Sequence, residues 1–286
     1  MKVLIVKGWM GFGDRLESLK MCVDYAIQYK RLLYVDWTDS IWSHGNESFY
    51  SYFAFVNLPQ ITSLTEIPED ATVFPPFWKG KLDTPLTHEI VNTNSAELDV
   101  DVFNRKAYDE DVLVFSSIGR RNTYVASPFF TDRFRVTDSR IRTKVKERQQ
   151  KYKLSTKYGI HLRGSDRVSN QDFKLHRIRQ LSVRMVSMGI FGGNASIAVS
   201  DDAEYIKLWK SRFSDIPILT EKGAIGGTVG AHNKDILPIS KDELNVDMLS
   251  DFFTLSSCMK VISTSPDSRF THEAVRLHSA VNLILG

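Results

Sequence analysis

The feature that most constrains this fold is the alternation of short apolar runs with longer segments of helical periodicity in the second half of the chain. Strands are predicted at residues 158–162, 196–199, 216–219 and 260–263 and in a last run that reaches Leu285. Helices are predicted at residues 176–188, 203–213, 246–257 and 270–278. Such alternation indicates a parallel sheet with helices on both faces, which is the doubly wound α/β architecture.

The first half of the chain opens with a unit of the same kind. Residues 2–6 form an apolar run typical of a strand buried on both faces, and residues 32–35 form another. Between these runs lie three glycines and then apolar residues at helical spacing, which together predict a βαβ unit. Residues 112–116 predict one more buried strand.

A polar stretch between residues 132 and 157 predicts a helix that leads into a second domain. The chain has 286 residues, which is enough for two domains that each have their own core. We therefore expect an α/β protein with two Rossmann-like lobes, formed by residues 1–145 and 146–286.

Aromatic side chains are dense between residues 37 and 60. They are Trp37, Trp42, Phe49, Tyr50, Tyr52, Phe53 and Phe55. Flat side chains of this kind suit stacking against sugars, and they suit a small hydrophobic core equally well. We interpret most of them as core residues.

Composition and charge exclude several classes of protein. The formal net charge is only +3, with 37 basic and 34 acidic side chains, so the chain lacks the basic excess of a nucleic-acid binder. Cys22 and Cys258 are far apart in the sequence and are expected to be reduced core residues. The apolar run at the N-terminus is too short for a secretory signal, and no window has the roughly 20 apolar residues of a membrane helix. We expect a cytoplasmic protein without a membrane span.

The first candidate site follows the first predicted strand. In Gly11, Phe12, Gly13 and Asp14, backbone N–H groups at the start of a helix can bind a phosphate, and glycine lets the main chain come close. Arg15 replaces the third glycine of a dinucleotide fingerprint, and its charge favours an anion. On this loop alone, a tight turn in which Asp14 caps the helix is the preferred interpretation.

The second candidate site lies where the predicted strand at residues 158–162 ends, at the edge where open α/β sheets bind ligands. His161 and Arg163 point to the same side of a strand, where both could face one bound diphosphate. Asp166 could then orient Arg163 or Arg167. A surface cluster of salt bridges is the alternative, but polar residues inside a buried strand favour a functional site.

Two acidic residues follow the predicted strand at residues 196–199. We expect Ser200 or Asp201 to cap the next helix, with Asp202 interacting favourably with the helix dipole. This interpretation is preferred to a metal site. The lone His232 is interpreted as a loop residue.

Hydroxyl groups follow the predicted strand at residues 260–263. Ser265 and Ser268 lie at the start of the next helix, where hydroxyl and N–H groups can receive phosphate oxygens. An ordinary hydroxyl-rich helix cap explains the same residues, and this segment alone leaves both interpretations open.

Taken in order, these segments resemble the fucosyltransferase superfamily that includes the bacterial nodulation fucosyltransferases, the core-N-glycan fucosyltransferases and the protein O-fucosyltransferases. Residues 11–16 and 33–37 are similar to the opening of the nodulation enzymes. Residues 161–167 are similar to the family's His-x-Arg-x-x-Asp segment, which is the most specific match. Further matches lie at residues 199–202, 230–233, 251–256 and 263–268. Residues 38–157 match no motif of the family and are expected to serve the acceptor.

The resemblance implies a two-lobed GT-B fold with the donor site in the cleft, in which residues 1–145 form the acceptor side and residues 146–286 hold the nucleotide sugar. It implies that Arg163 binds the β-phosphate, that the region of His161 meets the nucleoside and that Asp251 recognises guanine. The other implied donor contacts are Gly11, Phe12, Gly13, Asp166, Arg167, Ser265 and Ser268. No metal and no other cofactor is implied, because arginine and helix N-termini take the metal's place.

The implied reaction is an inverting transfer of fucose from GDP-fucose to a saccharide acceptor, in which a base removes the acceptor's proton. The core-glycan enzymes have a glutamate where this chain has Gln171, and glutamine cannot act as a base. Asp172 is the first substitute and Asp14 the second, while Arg163 stabilises the leaving group.

Three other functions stay open on the sequence. The same fold could use another nucleotide sugar, because the motifs specify phosphate and base contacts. Gln171 also suits a non-catalytic protein that binds a nucleotide or a glycan. A phosphatase or nuclease built on His161, Arg163 and Asp166 is disfavoured, because neither a nucleophile nor metal-ligand spacing lies beside them.

Overall fold

The computed structural model describes residues 1–98, 100–116, 128–164, 170–222 and 239–286. The chain divides into two compact units, Met1–Thr137 and Asp138–Gly286. The division falls at Thr137 and not at residue 145, because helix α4 (Ser139–Tyr152) packs against helix α7 (Lys241–Ser256) and so belongs wholly to the second unit.

The described residues of the first unit contain a parallel sheet with the strand order β2-β1-β5-β4. Its strands are β1 (Val3–Lys7), β2 (Leu32–Asp36), β4 (Val73–Phe74) and β5 (Val112–Ser116). Strand β1 pairs with β2 on one side and β5 on the other, and all five of its residues are buried. Helix α1 (Phe12–Gln28) joins β1 to β2, so the predicted βαβ unit is confirmed.

A second, smaller layer of the first unit carries the aromatic residues. Strands β3 (Phe53–Phe55) and β6 (Phe134–Val136) pair in antiparallel orientation, and the short helices α2 (His88–Asn94) and α3 (Pro128–Arg133) lie between them in the chain. Phe53 and Phe134 contact each other, with ring centroids 4.9 Å apart. Most of the aromatic side chains between residues 37 and 60 are buried, as predicted for a core.

The described part of the second unit contains a parallel sheet with the order β8-β7-β9. Its strands are β7 (Tyr158–Leu162), β8 (Ser196–Ser200) and β9 (Lys260–Ser263). The helices that accompany α4 and α7 are α5 (Gln171–Ser187), α6 (Ala203–Lys210), α8 (Arg269–Arg276) and α9 (Val281–Leu285). The alternation of strands and helices in the sequence predicts this doubly wound arrangement.

One face of this sheet is covered by apolar side chains at helical spacing. Ile178, Leu181 and Met185 of α5 pack with Ile160 of β7 and Trp209 of α6 in one cluster. All five are at most 3% exposed. Burial of a side chain of this size stabilises a fold by about 1.5–3 kcal/mol, so this face provides much of the second unit's core.

Two predicted strands are wrong. The last run of the chain forms helix α9, because Val281, Ile284 and Leu285 lie at helical spacing and are buried while Leu283 is about half exposed. Residues 216–219 form no strand and make only an isolated bridge between Ala198 and Ile218.

The helix predicted between residues 132 and 157 is also only partly correct. Its first part forms strand β6, because Phe134 and Val136 alternate with the less buried Arg135. Asp138 then caps α4 by accepting hydrogen bonds from the backbone N–H groups of Arg140 and Ile141.

None of the helices in the described residues is long and apolar enough to cross a membrane.

Candidate functional site

Polar segments follow each of the three strands that the structure describes in the second unit's sheet. The strands are parallel, so β7, β8 and β9 end at the same edge, which is the edge where open α/β sheets bind ligands. Arg163 and Gly164 follow β7, Asp201 and Asp202 follow β8, and Thr264 follows β9. The fold therefore brings together charged and hydroxyl side chains that are up to about a hundred residues apart in the chain.

Arg163 is the central cation of this edge. Its guanidinium forms an ion pair with Asp201, and the two side chains are 27% and 26% exposed. Its backbone N–H donates to Oγ1 of Thr264 at 2.9 Å, which fixes the end of β7 to the end of β9. Arg163 is thus held by its main chain while its side chain remains within reach of solvent.

Asp201 also contacts the next residue of the loop, since the backbone N–H of Gly164 donates to its Oδ1 at 2.7 Å. The prediction that Ser200 or Asp201 caps α6 is wrong. Strand β8 continues through Ser200, so Asp202 is the N-cap and accepts from the backbone N–H of Tyr205 at 2.9 Å.

Asp202 is buried beneath Gly164. It pairs with Nζ of Lys174 at 2.8 Å, and neither side chain is exposed. Burial lowers the pKa of Lys174, but the hydrogen bonds to Asp202 and Glu204 outweigh it and the net shift is upward. A Cβ atom at Gly164 would lie 2.5 Å from Oδ2 of Asp202, so only glycine fits at this position.

His161 lies deeper than Arg163. Its Nδ1 is 2.7 Å from Oγ1 of Thr271, its ring centroid is 5.1 Å from that of Phe270, and the residue is 4% exposed. Burial and the positive charge of Arg163 lower the pKa of His161 to about 3, which keeps the imidazole neutral. A role in binding a diphosphate beside Arg163 stays a prediction.

The start of α8 closes this edge of the sheet. Ser268 is its N-cap, accepts from the backbone N–H of Thr271 at 3.4 Å and is 3% exposed. Ser265 is half-buried, and its hydroxyl donates to Oδ1 of Asp267 at 2.8 Å. Ser268 therefore acts as a helix cap, while the hydroxyl of Ser265 lies nearer the surface.

Asp251 on α7 is buried beside this edge. Nη1 of Arg148 donates to its Oδ1 at 2.8 Å, and the hydroxyl of Thr220 donates to its Oδ2. Burial raises the pKa of Asp251 to about 6, against the opposing effect of Arg148. Arg148 also donates to the carbonyl oxygen of Leu219, so it joins α4 and α7 to the segment that follows α6.

The remaining residues predicted for this unit are either exposed or outside the description. Asp172 is exposed in the first turn of α5, where its backbone N–H donates to Oδ1 of the N-cap Asn170 at 2.8 Å. Asp166, Arg167 and His232 lie outside the described residues.

In the first unit, the predicted site at residues 11–14 lies at the start of helix α1. Gly11 is the N-cap and is exposed, whereas Asp14 lies within the first turn, so the expectation that Asp14 caps the helix is wrong. Gly13 is buried in the same turn. Phe12 is 5% exposed and its ring lies 6.0 Å from that of Trp42, so it belongs to the aromatic core.

Arg15 does not face an external anion. Its Nη1 and Nη2 donate to the two carboxylate oxygens of Asp39 at 2.8 and 2.6 Å, and its Nε donates to the carbonyl oxygen of Met10 at 2.9 Å. The guanidinium carbon lies 5.5 Å from the ring centroid of Trp37 and 5.6 Å from that of Trp42. The expectation that this charge favours a bound anion is wrong, because Asp39 already neutralises it in the interior.

Among the described residues, no group of three or more His, Cys, Asp and Glu side chains is arranged to hold a metal ion.

Several solved structures with a similar fold are fucosyltransferases. NodZ alpha-1,6-fucosyltransferase co-crystallised with GDP has a TM-score of 0.69 and 19% identity, covering 96% of this chain and 92% of that one. The fucosyltransferase NodZ from Bradyrhizobium has a TM-score of 0.69 and 18% identity, covering 96% and 93%. A mutant of Arabidopsis thaliana FUT1 in complex with GDP has a TM-score of 0.54 and 16% identity, covering 97% and 69%.

The chain has the GT-B fold of these fucosyltransferases. The fold class predicted from the sequence is therefore confirmed. Comparison of the sequence with models of protein families and with curated proteins gives no match.

Two residues beside the edge of the second unit's sheet are not predicted from the sequence, namely Arg148 and Thr220. Arg148 occupies a buried position of α4 together with Ile141 and Val145, and an arginine at such helical spacing with apolar residues is a signal of a buried ion pair. Thr220 carries no such signal, because its contact with Asp251 depends on the path of the chain after α6.

Proposed function

We propose that this protein is an inverting glycosyltransferase that transfers fucose from GDP-fucose to a hydroxyl group of a saccharide acceptor. The observation that carries the proposal is the partly exposed guanidinium of Arg163 at the ligand-binding edge of the second sheet, in a chain with the fold of GDP-bound fucosyltransferases. The structure of NodZ soaked with GDP-fucose, which has a TM-score of 0.67 and 18% identity, also supports this donor.

Arg163 fits the role of leaving-group stabiliser. When the bond between the anomeric carbon and the β-phosphate oxygen breaks, negative charge develops on that oxygen. A fixed cation aimed at this charge stabilises the transition state more than the ground state. The hydrogen bond between the backbone N–H of Arg163 and Thr264 fixes the main chain from which the guanidinium extends. We propose that this cation and the N-terminal turn of α8 serve in place of a metal ion.

The acceptor's oxygen attacks the anomeric carbon from the side opposite the leaving phosphate, and its proton passes to a carboxylate. Asp172 is the first candidate because it is an exposed carboxylate in the first turn of α5, next to Gln171. Asp14 is the second candidate, and it lies in the first turn of α1 in the other unit. We propose that one of these two residues is the base.

Binding tests the donor assignment. Calorimetry without added metal should show that the wild-type protein binds GDP and GDP-fucose and prefers GDP to UDP. Arg163→Ala should weaken GDP binding by roughly 30-fold, because it removes charge-assisted hydrogen bonds. Arg163→Lys is the matched control, since it keeps the charge but loses the planar fork. Its GDP affinity should lie between those of the wild type and Arg163→Ala.

Turnover tests the reaction. Release of GDP from GDP-fucose should depend on an oligosaccharide acceptor, and a product one fucose heavier should appear by mass spectrometry. Asp172→Asn and Asp14→Asn identify the base, because loss of turnover with unchanged GDP binding marks the residue that takes the proton. Equal affinity for GDP and UDP would contradict the guanine donor and favour another nucleotide sugar.

A non-catalytic protein that binds a nucleotide or a glycan is the second candidate. Gln171 at the start of α5 favours it, since a carboxylate is expected there from the resemblance to the core-glycan enzymes. Selective binding of GDP-fucose without transfer to any acceptor in a broad panel would support this function.

A further inference from the structure

The ion pair between Arg163 and Asp201 places a carboxylate where the proposed reaction needs a phosphate. One oxygen of Asp201 accepts from the backbone N–H of Gly164 at 2.7 Å, and the other pairs with the guanidinium of Arg163. A guanidinium and a backbone N–H that converge on one carboxylate are the donors that also bind phosphate oxygens. Both charged side chains are about a quarter exposed, so a ligand can reach this pair from solvent.

We propose that Asp201 is an internal stand-in for the diphosphate: its carboxylate pairs with Arg163, and the nucleotide displaces it on binding. This inference rests on the proposed function, because it assigns the ligand of Arg163. It makes Asp201 an affinity-determining residue: every nucleotide that binds Arg163 must first replace a carboxylate.

The neighbouring aspartate has the structural role at this strand end. Asp202 caps α6, pairs with Lys174 and contacts Gly164, and its side chain has no exposed surface. Asp202 therefore supports the main chain at this edge, whereas Asp201 is half-buried and contacts groups that would also face a ligand. The two adjacent residues divide the structural role and the ligand-responsive role between them.

The charge of Asp201 also distinguishes the product from the donor. The β-phosphate of GDP is a terminal phosphate that carries close to two negative charges at neutral pH, whereas the β-phosphate of GDP-fucose is an ester with one. A carboxylate near this group repels GDP more strongly than GDP-fucose. Asp201 therefore weakens the binding of the product more than that of the donor, which favours release of GDP after transfer.

The test compares Asp201→Asn with the wild type, using inorganic pyrophosphate, GDP and GDP-fucose as probes in calorimetry. Asparagine keeps the size of the side chain and removes its charge. We expect pyrophosphate and GDP to bind about three- to tenfold more tightly, and GDP-fucose to gain less, because the removed pair is partly exposed and its interaction is screened. In an Arg163→Ala background, Asp201→Asn should give no gain, because the cation for which the carboxylate competes is absent.

Asp242→Asn is the matched control. Asp242 pairs with Arg140 on the surface of the same unit, so this variant loses the same charge without touching Arg163. It should leave all three affinities unchanged.

Two results would overturn the inference. If Asp201→Asn weakens the binding of all three probes as Arg163→Ala does, Asp201 positions the guanidinium and does not compete with the ligand. If the affinities do not change, Asp201 has no part in binding. Failure of the proposed function looks different, since the wild type would then bind GDP no better than UDP while pyrophosphate still reports on the pair. Absence of binding by all probes would overturn both.

Discussion

In each unit, the described residues include an arginine–aspartate pair near strand ends, and these two pairs differ in burial. The side chains of Arg15 and Asp39 in the first unit are 0% and 1% exposed, whereas those of Arg163 and Asp201 in the second unit are 27% and 26% exposed. A fully buried pair cannot exchange its partner for a ligand, while a partly exposed pair can. Burial therefore distinguishes a structural arginine from a candidate binding arginine, although both follow the first strand of a βα unit.

The largest expected effect comes from breaking the buried pair. Arg15→Leu leaves the carboxylate of Asp39 buried without its cation, which should lower the free energy of unfolding by about 3–5 kcal/mol. Urea unfolding followed by circular dichroism measures this loss. Arg163→Ala is the control and should change the free energy of unfolding by less than about 1 kcal/mol, because its pair is partly exposed. Similar losses in the two variants would contradict the assignment of a structural role to Arg15 and a binding role to Arg163.

Gly8 and Gly11, which precede Arg15 in the chain, differ in how closely other side chains approach them. A Cβ atom at Gly8 would overlap the guanidinium of Arg15 and lie 2.5 Å from Cδ1 of Trp37, whereas a Cβ atom at Gly11 would meet only Oδ2 of Asp14, at 3.8 Å. Gly8→Ala should therefore destabilise the protein by about 1–3 kcal/mol through overpacking. Gly11→Ala should leave the free energy of unfolding nearly unchanged, and any loss of GDP affinity in it would mark a close approach of the donor. Equal stability of the two variants in a thermal melt would refute this packing.

The third pair, Arg148 and Asp251, tests whether burial alone decides the role. These side chains are 7% and 8% exposed, yet the resemblance to fucosyltransferases assigns guanine recognition to Asp251. Burial raises the pKa of Asp251 from its ordinary value of 3.8 to about 6. If the ionised carboxylate accepts from the N–H groups of guanine, GDP affinity should fall by up to about tenfold for each pH unit below 6. Asp251→Asn should abolish this pH dependence, and an unchanged pH profile in that variant would remove Asp251 from the site.

The raised pKa of Asp251 also affects the stability of the fold, and this pH dependence is opposite to that of GDP affinity. The pKa of Asp251 is higher in the folded protein than in the unfolded chain, so the protonated carboxyl favours folding. Its contribution is fully present below about pH 3.8 and is lost as the pH rises through about 6. Binding and stability should therefore change in opposite directions between pH 4 and pH 6, which separates a loss of GDP affinity from unfolding.

Local patterns explain which parts of the fold were predictable from the sequence. Strands β5, β7 and β9 have their predicted bounds, because each is an apolar run that ends at polar residues. The sequence of helix α9 also fits a strand, because a run of five residues with four apolar side chains is compatible with either period. Arg163 could be identified as a site residue, since a charged residue at a strand end is visible in the sequence.

The partners of these residues could not be predicted, because they depend on contacts between distant segments. Arg148 and Asp251 are 103 residues apart in the chain, and Arg15 and Asp39 are 24 apart. The role of Asp201 depends on a single residue, since β8 continues through Ser200 and moves the helix cap to Asp202. Sequence patterns locate the strand ends, but packing decides which side chain at each end is neutralised and which remains exposed.

The smallest expected effect is on stability at the exposed pair. Asp201→Asn removes a partner from Arg163, yet it should change the free energy of unfolding by less than about 1 kcal/mol, because water solvates both groups in either case. Asp39→Asn makes the same chemical change at the buried pair and should cost several times more, since the guanidinium of Arg15 is then left buried without a countercharge.

Urea midpoints of these two variants, measured at low and high salt, give the comparison directly. Salt should reduce the small effect at Asp201 and leave the large effect at Asp39 unaltered, because ions screen only the charges that they can approach. A large, salt-independent loss in Asp201→Asn would make Arg163 a structural residue and would place the binding cation elsewhere in the second unit.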